Sequence, residues 1–334
     1  TGGQCRASNY LPMLKKAFVL VNIVKYEDSY TTNVSELFSS SDKSESDSKS
    51  KMSVFLDELN LSRGHVVVWN QSKDKPGKTS MDYGHLDIDS INLFVKNIAY
   101  NGDTITGRIN HLSAMDKCGF DLDEFSSPST FIVSSNGLNF KNLTLKTHAT
   151  ALDLDLQFLY NGYSNFKDFV DSIMIVANFR PSQITLSDLK YFSGVMGKMT
   201  DTLQISGMII GTVSDFVANR FSFSFKDSTN FLGTIKMKGL PNFYETHIVG
   251  EVNKMNFTYQ DISEFAVPTP SRKIPLPEFL SSMQNAVLSG QFFGFHNNFN
   301  TNFNLHTTLG NINCDGALNN DDEVAPLPYY FFKV

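Results

Sequence analysis

The sequence predicts an all-β protein of antiparallel strands with a few short helices. Three observations support this prediction. Apolar and polar residues alternate over several stretches, 29 of the 334 residues are Phe, and Asn-Gly or Asp-Gly pairs recur between the stretches. Aromatic side chains pack well on a pleated surface, and a period of two gives a strand one apolar and one polar face. Such alternation is typical of antiparallel sheets, because buried parallel strands are apolar throughout.

The alternation is clearest in three segments, which we interpret as strands. They run from Leu152 to Phe158, from Val217 to Phe225 and from Phe299 to Leu305. Between such segments, Asn or Asp stands before Gly in pairs that suit tight hairpins, namely Asn101-Gly102, Asn136-Gly137, Asn161-Gly162 and Asp315-Gly316. The topology predicted from this spacing is a meander. The apolar stretch Ala17–Val24 is also predicted to be a strand, because it lacks a cleavage site for a signal peptide.

Two segments have helical periodicity. Ser187 can cap a helix that extends to Met199, and a second helix is predicted over Pro277–Leu288. Neither has the basic face of an interfacial helix, so we interpret both as covers over a core.

An internal repeat spans the two helices. Ser206-Gly207-x-x-x-Gly211 and Ser289-Gly290-x-x-x-Gly294 are 290 − 207 = 83 residues apart, and each follows an Asp and a Phe of matching spacing. Glycine inside a strand marks a bend or a close backbone approach. These glycines therefore predict a sheet curled into a trough, although period alone also fits a plain sandwich core.

Composition breaks divide the chain into three predicted segments. Residues 39–51 are free of apolar side chains and predict a disordered loop, and Pro268–Pro277 interrupts the strands. The segments are a first β-groove part (1–150), a β-repeat with helix 187–199 (151–267) and a second copy of the repeat (268–334).

The sequence contains no motif of enzymatic chemistry. It has no Gly-x-Ser-x-Gly elbow, no His-Glu-x-x-His and no phosphate loop, and its seven His are scattered. We therefore expect no catalytic residues, no metal and no cofactor. Three widely spaced Cys exclude a complete set of internal disulfides and a local zinc knuckle. A net charge of −6 without a basic cluster argues against nucleic acid as a partner.

Several motifs resemble the TamB family of the AsmA-like superfamily. The matching segments are Ser187-Asp188-Leu189-x-x-Phe192, Leu203-x-Ile205-Ser206-Gly207-x-x-x-Gly211-x-Val213, Gly233-x-Ile235, Lys238-Gly239-Leu240-Pro241-Asn242-Phe243 and, upstream, Asp116–Leu122. In the upstream segment, Cys118 stands where the family usually has Ser.

The resemblance implies an extended, curled antiparallel sheet, the β-taco, whose apolar groove carries phospholipids across the periplasm of a Gram-negative bacterium. It also implies an inner-membrane anchor outside this fragment and an outer-membrane β-barrel partner of the TamA type. The predicted lining of the groove is Leu152, Leu154, Leu156, Phe158, Ile205, Ile209, Val213, Phe221, Phe223, Phe225, Phe299, Phe303 and Leu305. The predicted structural glycines are Gly207, Gly211, Gly239, Gly290 and Gly294.

Two other functions compete with lipid transport. A scaffold or chaperone for outer-membrane protein assembly and secretion would pair its open sheet edges with unfolded strands. A glycan-binding sandwich would present surface Tyr or Trp platforms, which a single Trp disfavours.

Overall fold

The predicted all-β fold class is confirmed: the described residues form mostly antiparallel β-sheet, with few short helices. The computed structural model describes residues 5–6, 20–25, 53–71, 81–82, 84–191, 197, 199–265, 281, 285–319 and 329–333. These belong to two compact units, Thr1–Ala151 with Asp188–Gly194, and Leu152–Ser187 with Val195–Val334. The predicted loop 39–51 and the Pro-rich break lie outside the described residues.

The described residues of the first unit include seven strands. They are β1 (Cys5–Arg6), β2 (Leu20–Lys25), β3 (Ser53–Asn70), β4 (Asp87–Asn101), β5 (Thr104–Asp116), β6 (Asp121–Ser134) and β7 (Gly137–Lys146). From β3 to β7 each strand pairs antiparallel with the next, while β1 and β2 run parallel to β3. Strand β2 agrees with the prediction for Ala17–Val24 over residues 20–24, and residues 17–19 lie outside the described residues. Directly paired apolar residues cross this sheet, in the order Leu61, Leu93, Leu112, Phe125 and Leu145.

The remaining strands form a meander in the second unit, as predicted. They are β8 (Ala151–Leu159), β9 (Met174–Thr185), β10 (Thr202–Gly211), β11 (Asp215–Phe225), β12 (Thr229–Lys238), β13 (His247–Phe257), β14 (Ala286–Gly294), β15 (Asn298–Thr307), β16 (Gly310–Asn319) and β17 (Tyr329–Lys333). From β9 to β17 each strand pairs antiparallel with its successor.

Helical structure is short and lies between strands. A 3₁₀ helix over Tyr163–Asp168 leads into α1 (Phe169–Ser172). Helix α2 (Tyr259–Glu264) begins after Thr258, whose hydroxyl accepts a hydrogen bond from the backbone N–H of Asp261. Two more 3₁₀ helices are Leu186–Tyr191 and Phe243–Glu245. None of the described helices is long and apolar enough to cross a membrane.

Both predicted helices need revision. The first is present as the 3₁₀ helix Leu186–Tyr191, and residues 192–196 and 198 lie outside the described residues. The second prediction is wrong at its end, because β14 begins at Ala286. Residues 286–288 pair with β13 on one side and β15 on the other, and these ladder hydrogen bonds outweigh the local helical spacing. Residues 277–280 and 282–284 lie outside the described residues.

Two of the predicted hairpins are also wrong. Asp315-Gly316 lies inside β16, which turns back from β15 at residues 308–309 instead. Asn161-Gly162 leads into a 3₁₀ helix rather than a hairpin. The turns at Gly102-Asp103 and at residues 135–136 are confirmed.

Strand β11 does not keep one period throughout its length. A bulge falls between Ala218 and Phe221, where Arg220 has a φ of 45°. One extra residue at a bulge reverses the side-chain alternation. Val217 and Asn219, predicted to share a face with Phe221, therefore point to the opposite face, and the buried Ala218 replaces them.

Candidate functional site: an apolar ladder across the second unit

Seven apolar side chains form a row across seven adjacent strands of the second unit. Each is the direct cross-strand partner of the next, and residues paired in this way point to the same face of the sheet. We call this row the apolar ladder, and it runs through Ile205, Phe223, Phe231, Met255, Leu288, Leu305 and Ile312. The ladder thus gives one face of β10–β16 a continuous apolar line perpendicular to the strands.

Ring stacking and burial hold the ladder together. The Phe223 and Phe231 rings stack with centroids 4.9 Å apart and an interplanar angle of 12°. Ile205, Phe231 and Leu305 are less than a tenth exposed, and the other members are half-buried. Around Leu305, the side chains of Phe257, Phe303 and Ala286 complete a small core.

Glycines bring neighbouring strands of this face unusually close. A Cβ atom added to Gly207 would lie 2.8 Å from the Cα of Phe221, and one on Gly294 would lie 2.6 Å from the Cα of Phe299. Both glycines have positive φ, which side-chain-bearing residues rarely adopt. The repeat therefore conserves a close backbone approach between β10 and β11 and again between β14 and β15. Gly239, at φ 126°, approaches Thr246 in the same manner.

The Asp of each repeat binds threonine hydroxyls. Asp188 accepts hydrogen bonds from Thr147 and Thr150, at 2.6 and 2.7 Å. Asp261 accepts one at 3.0 Å from Thr229, which is 2% exposed. The sequence showed the repeated Asp but not its partners, because the threonines lie about 30 to 40 residues upstream.

The structure brings most of the predicted lining residues onto the face of the ladder. Ile205, Phe223 and Leu305 belong to it directly. The same face includes further predicted residues at even spacing or through cross-strand pairs, namely Ile209, Phe221, Phe225, Phe299 and Phe303. Val213 does not fit the prediction of a strand position, because it lies in the turn between β10 and β11.

The predicted groove-lining residues of β8 lie on one face of the strand, and an ion-pair cluster lies on the other face. Arg180 donates hydrogen bonds to Asp153 and Asp155, and these bonds, chiefly that to Asp153, raise the pKa of the guanidinium. The alternating Leu152, Leu154, Leu156 and Phe158 point away from this cluster. Leu154 is 4% exposed, and the Phe158 ring meets Phe169 edge-on.

Sequence reasoning missed four ladder members. Phe231 and Met255 lie in strands without a clean alternation, and Leu288 was assigned to a helix. Ile312 lies three residues before the Asp315-Gly316 pair, which predicts a turn. Their only common signal is the cross-strand register, which single-sequence periodicity does not encode.

A shallow depression of about 340 Å³ lies chiefly on the face opposite the ladder, where the paired Ser222, Leu232 and Lys254 line it. Ile205, Phe223 and Phe231 contribute to its lining, together with polar residues that include Ser222, Asn230 and Lys254. Cys314 lies on the ladder's face, where burial raises the pKa of its thiol. Within the described ranges, no group of His, Cys, Asp and Glu could hold a metal ion.

Comparison with protein-family models, with curated proteins and with solved structures gives no match to this chain. The fold and the arrangement of side chains are therefore the basis for assigning a function.

Proposed function

We propose that the face carrying the apolar ladder binds the acyl chains of phospholipids and guides them without catalysis. The observation that carries the proposal is the unbroken row of seven apolar partners. Six strand spacings of about 4.8 Å make this row about 29 Å long. Because two acyl chains placed end to end fill the roughly 30 Å core of a bilayer, one chain fits along the row.

Transfer from water to such a surface needs no specific recognition. Each buried CH₂ group contributes about 0.8 kcal/mol, so a long acyl chain gains enough from contact with Phe, Leu and Ile alone. The head group stays in water at the rim. In this proposal the protein is a section of a periplasmic bridge between the inner and outer membranes, as the TamB resemblance implies.

Native mass spectrometry of the purified chain, with lipid extraction from the same sample, tests the proposal. We expect co-purifying phospholipid that is lost in Phe223→Asp and in Phe303→Asp, because a carboxylate on the apolar face of the ladder is costly to bury. Leu232→Asp is the matched control. Leu232 neighbours Phe231 but pairs with Ser222 on the opposite face and is 47% exposed.

Two results would contradict lipid binding. One is a lipid-free wild-type chain after incubation with phospholipid vesicles. The other is equal lipid content in Phe223→Asp and Leu232→Asp, provided that circular dichroism shows both to be folded.

The scaffold function is supported by one feature of a sheet edge. Strand β17 pairs with β16 only over Asp315–Asn319, so among the described residues Gly310–Cys314 have no strand partner on that side. An unpaired edge can accept an extended segment of another chain. Crosslinks from Asn311 to unfolded barrel precursors, without bound lipid, would favour this function over transport.

A further inference from the structure

The face of β15 and β16 opposite the ladder is dominated by asparagine. Four Asn alternate along β15 and three lie on β16, and the cross-strand pairs place all of them on one face. They are Asn298, Asn300, Asn302, Asn304, Asn311, Asn313 and Asn319. Of these, Asn300, Asn302, Asn304, Asn311 and Asn313 are exposed.

This composition opposes the local structure. Asn is depleted from strands, because its side chain competes with the backbone for hydrogen bonds. Thr, a polar residue with high strand propensity, suits such a position better. Where a sequence breaks a local rule repeatedly without gain in packing, a functional reason is the expected explanation.

A depression of about 370 Å³ lies on the same face. Its lining on that face is formed by Gln291 and Phe293 of β14, Asn300 and Asn302 of β15, and Asp315 and Ala317 of β16. Asn302 donates to the Asp315 carboxylate, which fixes the orientation of both side chains. The depression thus presents amide donors, amide acceptors and one carboxylate to solvent.

An exposed aromatic ring borders these polar groups. Phe293 is 55% exposed although it lies in the middle of a sheet. The His247 ring packs edge-on against Phe293, with centroids 4.6 Å apart, and also contacts Phe295, which is 37% exposed. These contacts hold the Phe293 ring in place and leave much of its surface open to a ligand.

We propose that this depression binds an extended, neutral oligosaccharide. The C–H face of a pyranose packs on an exposed aromatic ring. Its hydroxyls donate hydrogen bonds to amide and carboxylate oxygens and accept them from amide NH₂ groups. A nucleic acid would require clustered cations, and the lining contains none. This binding is distinct from lipid transport, because the ladder lies on the other face of the same strands.

The geometry selects the shape of the glycan. Amide side chains repeat at every second residue along β15, about 6.8 Å apart, and the neighbouring strands follow at about 4.8 Å. A β-1,4-linked chain is an extended ribbon that can contact several of these amides at once. An α-1,4-linked chain coils away from such a surface.

Isothermal titration of the full chain with cellohexaose, chitohexaose and maltohexaose tests the site. We expect a β-1,4-linked hexasaccharide to bind and maltohexaose to bind at least about tenfold more weakly. Phe293→Ala and Asn300→Ala should each weaken binding about tenfold. Leu309→Ala and Asn230→Ala are matched controls, because Leu309 is an exposed apolar residue and Asn230 an exposed amide outside the depression.

Three results would overturn the proposal. They are absence of heat with both β-linked sugars at millimolar concentration, equal affinity for maltohexaose, and unchanged affinity in Phe293→Ala and Asn300→Ala. Because both substituted side chains are solvent-accessible, circular dichroism of the variants should match the wild type, and chemical-shift mapping of the β15 amides offers a second readout.

Discussion

Gly290 of β14 lies directly opposite Phe303 of β15, and an added Cβ atom on Gly290 would stand 2.6 Å from the Phe303 Cα. The Asn302 carbonyl oxygen would be closer still, at 2.2 Å. Gly211 and Phe216 repeat the relationship between β10 and β11, at 2.5 Å. A methyl group at any such glycine forces two paired backbones apart.

We therefore expect Gly290→Ala to destabilise the protein by about 1–3 kcal/mol or more, since backbone strain adds to the displaced strand. Gly250→Ala is the control. Its Cβ would meet only the Phe292 Cβ at 3.7 Å, an ordinary contact, so its effect should stay within about 1 kcal/mol. Urea denaturation followed by circular dichroism measures both, and similar midpoints would disprove the close approach.

Truncating a side chain of the ladder should lower the free energy of unfolding, and the loss should be larger the more deeply that side chain is buried. Leu305 is 9% exposed and packs on Ala286, so Leu305→Ala should lower the free energy of unfolding by about 2–4 kcal/mol. Leu309, four residues later, is 69% exposed, and Leu309→Ala should change it by less than about 0.5 kcal/mol. Equal losses in thermal denaturation would mean that the ladder is not a packed surface.

The hydrogen bond from the Thr229 hydroxyl to Asp261, the Asp of the second repeat, should also contribute to stability. Thr229→Val keeps the shape but leaves the 7% exposed Asp261 carboxylate without that donor, at a cost of about 1–3 kcal/mol. Thr104→Val is the control, because it removes a hydrogen bond of the same 3.0 Å length from a threonine hydroxyl to the exposed carboxylate of Asp103. Chemical denaturation should show little effect for Thr104→Val, and a loss as large as that of Thr229→Val would contradict the argument from burial.

Asp87 predicts a pH dependence in the first unit. Hydrogen bonds from His65, at 2.6 Å, and from Lys117, at 3.0 Å, hold the pKa of this carboxyl below its usual 3.8. A lowered folded-state pKa gives stability that is fully present above pH 3.8 and is lost as the pH falls through the folded-state value.

The stability difference between wild type and Asp87→Asn should accordingly be largest above pH 4 and disappear in stronger acid. Its size should be on the order of 1 kcal/mol or less, because both ion pairs are partly exposed. Urea midpoints across the acid range measure it, together with NMR titration of the carboxyl carbon. A difference that persists unchanged in strong acid would rule out the proposed linkage.

The sequence was sufficient for the fold class because the two-residue period is a direct geometric property of strands. For the same reason, the alternation predicted that Phe223 and Phe225 share one face of their strand. It likewise predicted that Phe303 and Leu305 share one face of theirs. It failed at Val217, because no local feature of Arg220 announces a bulge with positive φ. It failed at Leu288, where apolar spacing fits a helix but pairing with β13 and β15 decides the structure.

The candidate site was only partly predictable because it depends on register. Phe231 and Met255 join the ladder through pairs with strands that are neighbours in space, and no periodicity within one strand identifies these partners. The Asn-rich face was visible as alternation in β15, but its depression needs Gln291 and Phe293 from β14 beside it.

The meander pairing of β9 to β17 has a consequence for how such a chain can grow. Because every strand there finds its partners in the segments next to it in sequence, duplication of a repeat inserts new neighbours without breaking distant contacts. Stability in arrays of this kind is approximately a sum over adjacent elements, and assembly can begin anywhere and spread. Copy number can therefore change during evolution while each hairpin folds as before, and nascent strands can pair in the order in which the ribosome delivers them.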